Sequence, residues 1–247
     1  MKKVLILGGT GDAVKLADQL VNIPEIEVIS SLAGRTKKPS ALVGQFRIGG
    51  FGGIEGLAKY LQENAIDFLI DATHPCAGQI TINGAIASQI AQIPHLMLVR
   101  PQWEKLSGDN WIEVETVEAS AQAIPDVIKR IFITSGRQQL EPFLQRSQTY
   151  PDTWYLMRSI DPPDIELPNS QVLLDRGPFS LEQERELLRE FQIEAIVSKN
   201  SGGAATYAKV AAARELGIPI VMVQRPAMPE GDKVTSIEEA IAWLNSR

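Results

Sequence analysis

Polar and mostly cationic side chains recur in this sequence directly after short apolar runs that are typical of buried strands. The residues concerned are Thr73, His74, Arg100, Ser135, Arg137, Asp175, Arg176, Lys199, Asn200, Ser201 and Arg225. In a parallel sheet the carboxyl ends of the strands meet at the edge where ligands bind. Because the chain carries a net charge of −6, cations gathered there favour a polyanionic small molecule, and arginine suits carboxylates. Each arginine taken alone fits a structural surface role equally well.

A glycine turn near the N-terminus has the context of a nucleotide site. Val4–Leu7 reads as a buried strand, Gly8-Gly9-Thr10-Gly11-Asp12 follows, and a helical pattern continues to Leu20. Strand, glycine turn and helix let a phosphate approach the backbone at a helix N-terminus. The fingerprint is incomplete, since Val14 occupies the place of its third small residue. We assign residues 8–12 to cofactor binding, with a ligand-free tight turn as the alternative.

The end of the second predicted strand, Glu27–Leu32, indicates which dinucleotide would bind. Domains that bind NAD usually hold the ribose with an acidic residue at this place. Here Ser30 and Ser31 occupy it, followed by a basic stretch that includes Arg35 and Thr36. Positive charge and hydroxyl groups suit a 2′-phosphate, so we predict NADPH, bound by Ser31, Arg35 and Thr36. The alternative is that the basic stretch is a solvated loop.

A second glycine run, Gly49-Gly50-Phe51-Gly52-Gly53, follows the third predicted strand. Ordering so many glycines costs chain entropy, so a close backbone approach or positive φ angles must explain them. We place Gly50, Phe51 and Gly52 along the cofactor, together with the loop residues Ala72, Thr73 and His74.

Two stretches share one strand–loop–helix–strand pattern. They are Ile66–Pro101 and Ile193–Pro226, and each ends in Arg-Pro at the same spacing from a turn proline. We interpret them as βαβ units, which require parallel strands, and as a weak internal repeat. Chance similarity of composition is the alternative.

Composition excludes several classes of protein. The acidic balance disfavours a nucleic-acid-binding surface. Cys76 is the only cysteine and His74 and His95 are the only histidines, so neither a disulfide nor a Cys/His metal centre is expected. No apolar run reaches the length of a membrane helix and no signal peptide is recognisable, so we expect a cytoplasmic protein that binds no membrane.

The sequence predicts an α/β fold with two Rossmann-like parallel-sheet domains and a cleft between them. The pattern changes between Trp103 and Pro125, where an edge-type strand precedes a short helix. We therefore predict a cofactor domain at residues 1–110 and a substrate domain at 111–247. Residues 226–232 are predicted to be a loop, and a final helix at 236–244 could pack on either domain.

Taken in order, the motifs resemble one known family. They are LILGGTGDA, SLAGR, GGFGG, DATHP, LVRPQW, TSGR, DRGPF and SKNSGGAATYAKVAAARELGIPIVMVQRP. Together they are similar to the precorrin-6A and cobalt-precorrin-6A reductase family from Val4 to about Leu244. The resemblance implies an NADPH-dependent reductase of cobalamin biosynthesis, which reduces one double bond of the macrocycle to give precorrin-6B or its cobalt form. It leaves open whether the substrate contains cobalt.

The many carboxylates of a precorrin would account for the cationic strand ends. We assign substrate binding to Arg100, Ser135, Arg137, Arg176, Lys199, Asn200, Ser201, Gly202, Gly203 and Arg225. We expect residues 199–203 to hold the macrocycle. The proton donor stays open among water, a substrate carboxylate, His74 and Lys199. No metal and no obligate protein partner is implied.

Two other functions are compatible with the sequence. One is an NADPH-dependent Rossmann-type reductase of a smaller carboxylated substrate. The other is a nucleotide-binding sensor without turnover.

Overall fold

The computed structural model describes residues 1–34 and 43–247. The chain divides into two compact units. The first unit combines residues 1–101 with residues 226–247, and the second unit comprises residues 102–225.

The first unit is built on a six-stranded parallel sheet. Its strands are β1 (Lys2–Leu7), β2 (Ile26–Leu32), β3 (Gln45–Ile48), β4 (Phe68–Asp71), β5 (His95–Leu98) and β12 (Asp232–Val234). They lie in the order β3-β2-β1-β4-β5-β12. This is the strand order of dinucleotide-binding domains, in which ligands bind at the carboxyl ends of the central strands.

Helices cover this sheet. They are α1 (Gly11–Leu20), α2 (Gly53–Glu63), α3 (Gly78–Ala91) and α8 (Ile237–Asn245). Three of them, α1, α2 and α8, bury an apolar stripe against it, whereas α3 buries mainly small residues such as Gly84, Ala85 and Ala87. On one face Leu16 and Leu20 of α1 pack with Ala240 and Leu244 of α8. On the other face Leu57 and Leu61 of α2 pack against Leu5 and Leu69 of the sheet.

The second unit repeats the arrangement. Its strands are β6 (Trp111–Val114), β7 (Arg130–Ile133), β8 (Trp154–Ser159), β9 (Ser170–Leu174), β10 (Ala195–Lys199) and β11 (Ile220–Val223). Its helices are α4 (Val117–Ala123), α5 (Glu141–Thr149), α6 (Leu181–Glu190) and α7 (Ala208–Leu216). The strands are parallel and lie in the order β9-β8-β7-β10-β11-β6. The predicted α/β class with two parallel sheets is therefore confirmed.

The predicted internal repeat has a topological counterpart. The unit β4–α3–β5 and the unit β10–α7–β11 provide the fourth and fifth strands of their respective sheets. Five strands of each sheet are consecutive in the chain, β1–β5 in the first sheet and β7–β11 in the second. The sixth strand of the second sheet, β6, comes before its five, whereas the sixth strand of the first sheet, β12, comes at the end of the chain.

This arrangement differs from the predicted organisation near both boundaries. The first boundary falls between Pro101 and Gln102, not at residue 110. Residues 226–247 belong to the first unit, because β12 pairs with β5 and α8 packs on that sheet. The predicted loop at 226–232 overlaps the start of β12, which is only three residues long and lacks a strand-like apolar pattern.

Local caps explain several of the helix ends. Ser180 and Gln183 form a capping box at the start of α6. Gly217 ends α7 with φ +67°. Helix α7 begins at Ala208, and residues 204–207 before it form a turn closed by Tyr207 N–H donating to Ala204 O.

Candidate functional site

The glycine turn after β1 leaves open space around its backbone. Gly9 has φ +111°, and a Cβ built on Gly9 or Gly11 would meet no atom of residues 1–34 and 43–247 within 4 Å. Gly8 N–H donates to Ser31 O at 2.9 Å, so the turn is fixed to the end of β2. Helix α1 begins at Gly11 and directs its first N–H groups toward this space. The turn therefore forms a cradle of the kind that phosphate groups occupy.

The side chain of Thr10 fixes this cradle to the loop after β4. Its hydroxyl accepts from Ala13 N–H at 3.1 Å as the cap of α1, and it donates to Ala72 O at 2.7 Å. Thr10 and Ala72, both predicted to bind the cofactor, are thus brought together. Loss of the hydroxyl would free both the helix end and the Ala72 carbonyl.

The loop after β4 is shaped by its own polar groups. The buried carboxylate of Asp71 accepts from the N–H and the hydroxyl of Thr73, at 2.9 and 2.6 Å. His74 Nδ1 accepts from Cys76 N–H at 3.1 Å. Of the two candidate proton donors, His74 therefore has one ring nitrogen engaged in shaping this turn.

The second glycine run also leaves its backbone open. Gly49, Gly52 and Gly53 have positive φ angles, and a Cβ added at Gly50 or at any of these three would meet no atom of the described residues within 4 Å. Gly52, the residue before helix α2, has the left-handed backbone conformation. Both reasons predicted for a glycine run, positive φ and room for a close approach, are thus found here.

Arg47 on β3 lies between the end of β2 and the second glycine run, and it was not among the site residues predicted from the sequence. Its guanidinium donates to Ser31 Oγ at 2.9 Å and to the carbonyl oxygens of Gly49 and Gly50 at 2.9 and 3.0 Å. It also stacks on the ring of Phe51 at 3.8 Å. A usable signal was its place two residues before the glycine run, on the strand that follows the one containing Ser30 and Ser31.

Arg100 follows β5 and is paired within the first unit. Its Nη1 lies 3.4 Å from Asp12 Oδ2. Asp12 was predicted to bind cofactor and Arg100 to bind substrate, and the structure brings the two together as an ion pair beside the cradle. Arg35 and Thr36, the other predicted cofactor residues, lie outside the described residues.

In the second unit the loop after β10 is held by its own side chains. Asn200, only 1% exposed, accepts from Trp103 N–H at 2.8 Å and donates to Trp103 O at 3.0 Å. Trp103 Nε1 donates to Gly203 O at 2.8 Å. Asn200 was predicted to contact substrate. Its buried amide instead fixes the segment around Trp103, because two backbone groups there need partners.

Arg225, which follows β11, also supports this loop. Its Nε and Nη2 donate to the carbonyl oxygens of Asn200 and Ser201, at 2.8 and 3.1 Å. Gly202 and Gly203 have φ angles of +67° and +74°, so the chain turns there in a conformation that favours glycine. These predicted substrate residues therefore build the loop that carries Lys199 and Ser201.

Other predicted substrate residues end strands of the same sheet. Ser135, 6% exposed, has a hydroxyl without a hydrogen-bond partner in the described part of the chain. Arg137 forms an ion pair with Asp164 at 2.5 Å, and Lys199 Nζ donates to Gln139. Arg176 is exposed beyond the end of β9. Lys199, the second candidate proton donor, thus has a neutral amide partner.

A buried ionic cluster beside the Trp103 segment was also missed. Arg158 binds Glu184 through two hydrogen bonds of 2.5 and 3.0 Å. Lys209, 4% exposed, donates to Thr206 O at 3.0 Å and lies 5.0 Å from the centre of the Trp103 ring. Burial, aided by Arg158 and opposed by Glu184, lowers the pKa of Lys209 to about 7. Lys209 lies in an alanine-rich helix, and nothing in that local sequence indicates that its side chain is buried.

Neither a membrane-spanning helix nor a cluster of metal-ligating side chains is found in the described ranges. Over residues 1–34 and 43–247, no helix has the length and apolar character required to cross a membrane. In the same ranges no group of three or more His, Cys, Asp or Glu side chains could hold a metal ion.

Comparison with known proteins gives matches over both units. The model of the family described as precorrin-6x reductase CbiJ/CobK matches residues 3–245. A precorrin-6A reductase of Rhodococcus erythropolis is 45% identical over 248 residues, which cover 100% of this chain and 98% of that protein. A cobalt-precorrin-6A reductase of Methanothermobacter thermautotrophicus is 30% identical over 251 residues, covering 94% of this chain and 79% of that protein. A solved structure of CobK precorrin-6A reductase superposes with a TM-score of 0.90 at 38% identity, covering 100% of this chain and 97% of that one.

Proposed function

The chain belongs to the precorrin-6x reductase CbiJ/CobK family, and from that premise we propose that it reduces precorrin-6A with NADPH as the hydride donor. Membership makes it an oxidoreductase of cobalamin biosynthesis that acts on a CH–CH group. The observation that carries the assignment is the family match over residues 3–245, which spans both units.

The residues of the first unit fit a dinucleotide. The cradle at residues 8–11 and the run at 49–53 combine open backbone with a helix N-terminus, as a pyrophosphate requires. Gly8, Gly9, Thr10, Gly11 and Asp12 would hold the phosphates. Ser31, Gly50, Phe51 and Gly52 would contact the adenosine half, and Ala72, Thr73 and His74 would continue the site along β4. Arg35 and Thr36 stay predicted contacts of the 2′-phosphate.

The second unit would bind the macrocycle through its strand ends. Ser135 offers a buried hydroxyl for which the described residues provide no acceptor or donor. Arg137, Arg176 and Lys199 supply positive charge for precorrin carboxylates. Asn200, Arg225 and the glycines at 202 and 203 would act through the loop that they build.

The reduction adds a hydride, which NADPH supplies, to one carbon of a double bond and a proton to its neighbour. The protein's part is to position the two reactants and to exclude competing water. His74 Nδ1 is engaged by Cys76 N–H, so this histidine would hand over a proton only from Nε2. Lys199, a substrate carboxylate and water are the other candidates for the proton.

We further propose metal-free precorrin-6A as the preferred substrate. The relative named for it is 45% identical, whereas the relative named for cobalt-precorrin-6A is 30% identical. A cytoplasmic location belongs to the same proposal, since a chain with one cysteine cannot form an intrachain disulfide, which suits a reducing compartment.

The test is an anaerobic mixture of protein, NADPH and precorrin-6A, followed by absorbance of both chromophores. We expect equal losses of NADPH and precorrin-6A, and slower turnover with the cobalt form. NADPH binding without any precorrin-dependent oxidation would reject the proposal in favour of a sensor. Faster turnover of a smaller carboxylated substrate would favour a different reductase.

A further inference from the structure

We infer that Arg47 recognises the adenosine 2′-phosphate and so determines the preference for NADPH over NADH. This inference rests on the proposed use of NADPH. It assigns a role to a side chain of β3, a strand that otherwise serves as the edge of the first sheet.

The position of Arg47 in the sheet is the first argument. In this strand order the carboxyl end of β2 is where dinucleotide-binding domains hold the adenosine ribose. Ser31 stands near that end and is the register partner of Arg47 on β3. The Arg47 guanidinium lies 2.9 Å from Ser31 Oγ. A cation and a hydroxyl thus share the place where an acidic residue would select the free 2′-hydroxyl of NAD.

The charge of Arg47 is the second argument. Its three hydrogen bonds go to uncharged oxygens, those of Ser31, Gly49 and Gly50. No carboxylate of the described residues lies within ion-pair distance of Arg47, whereas Arg100 at the end of β5 is paired with Asp12. The guanidinium therefore retains a positive charge that a phosphate can neutralise.

The stacking on Phe51 is the third argument. The guanidinium carbon lies 3.8 Å from the centre of that ring and 5.1 Å from the centre of the Tyr60 ring. The three hydrogen bonds use three of the five N–H groups of an arginine. The flat group is thus held in one orientation. Two of its N–H groups have no acceptor among the described residues and can donate to phosphate oxygens, with little further ordering needed.

The experiment compares NADP⁺ and NAD⁺ binding by calorimetry in the wild type, in Arg47→Gln and in Arg47→Lys. Glutamine keeps a donor for the loop carbonyls but removes the charge. We expect Arg47→Gln to raise the Kd for NADP⁺ about 10- to 100-fold and to leave the Kd for NAD⁺ within about threefold. Arg47→Lys, which keeps the charge without the planar fork, should give an intermediate loss for NADP⁺.

Arg130→Gln is the matched control. Arg130 also stacks on an aromatic ring, that of Trp154 at 4.2 Å, and donates to a backbone carbonyl, but it begins β7 and so lies at the amino end of the second sheet. Its substitution should change neither dissociation constant.

The outcomes separate this inference from the proposed function. Equal weakening of both dinucleotides by Arg47→Gln would make Arg47 a residue that only shapes the glycine loop, and an unchanged Kd for NADP⁺ would also reject the inference. A wild-type protein that binds NAD⁺ as tightly as NADP⁺ would instead reject the proposed use of NADPH.

Discussion

The side-chain amide of Asn200 and the backbone of Trp103 are joined by two hydrogen bonds, of 2.8 and 3.0 Å. Both residues belong to the second unit, and 97 positions separate them in the chain. The pair fixes the loop after β10 to the segment that precedes β6. Asn200, which was predicted to contact substrate, thus stabilises the loop through its buried side chain.

Asn200→Ala should lower the free energy of unfolding by about 2–3 kcal/mol. The reason is that Trp103 N–H and O would both lose their buried partner. Chemical denaturation monitored by tryptophan fluorescence measures this. Asn22→Ala, which removes an exposed bond to Asp18 O, should cost less than about 1 kcal/mol. Unchanged stability together with weaker precorrin binding would return Asn200 to a direct role in substrate binding.

Gly11→Ala should affect stability and cofactor binding in opposite directions. Gly11 begins α1, and an added Cβ meets no atom within 4 Å in the part of the chain that the structure describes, so alanine should preserve stability or raise it by up to about 1 kcal/mol. The same methyl group would fill the phosphate cradle and raise the Kd for NADPH. Thermal unfolding and fluorescence titration measure the two effects. Unchanged NADPH affinity would place the pyrophosphate elsewhere.

Ser135→Ala should weaken precorrin binding without destabilising the protein. The Ser135 hydroxyl is buried without a partner among the described residues, so its removal relieves a cost of desolvation rather than breaking a bond. Ser120→Ala is the control, since that buried hydroxyl donates to Val117 O at 2.6 Å. A clear loss of stability in Ser135→Ala, with substrate affinity intact, would make Ser135 part of the core only.

Arg137→Ala should weaken precorrin-6A binding by about 1.5–3 kcal/mol and leave the Kd for NADPH unchanged, because a charge-assisted contact to a carboxylate is lost. Arg185→Ala is the control, since Arg185 also pairs with carboxylates but lies on the outer surface of α6 with Glu182 and Glu215. Parallel titrations with substrate and cofactor measure both constants. Equal effects of the two substitutions would remove Arg137 from the substrate site.

Lys209→Met should stabilise the protein, and more so at low pH. The pKa of Lys209 is lowered to about 7 by burial and by Arg158, whereas an unfolded lysine titrates near 10.4. Between these values the unfolded chain binds one more proton, so wild-type stability rises with pH across that range. The cost of the buried charge is therefore full below pH 7 and relieved toward pH 10.

The measurement is the difference in unfolding free energy between Lys209→Met and the wild type at pH 6 and at pH 10. We expect the gain from methionine to be larger at pH 6 by a few kcal/mol, within the range of costs known for buried charges. Lys59→Met, on the exposed surface of α2, should show no such pH dependence. A difference that does not vary with pH would mean that Lys209 titrates normally.

The sequence by itself determined the two parallel sheets and the place of the main glycine turn. Strand β11 is a continuous apolar run and β10 begins with one, the start of α6 carries the capping residue Ser180, and the two βαβ units force parallel pairing. The glycines of Gly8-Gly9-Thr10-Gly11 indicate a turn, and Gly9 has the positive φ that favours glycine. These features are local, and short windows of sequence contain them.

Only the tertiary structure decided which polar residues are available to a ligand. Asn200 and Arg225 are residue types that often bind ligands, yet in the fold Asn200 hydrogen-bonds the backbone of Trp103 and Arg225 hydrogen-bonds the loop carbonyls. Arg47 stands within a predicted strand and so did not look like a ligand contact. The pairing of β3 with β2 brings its guanidinium to Ser31. The place of β12 on the first sheet, beside β5, likewise depends on contacts between residues far apart in the chain. Such partners are chosen by the packing of whole sheets, which local sequence does not encode.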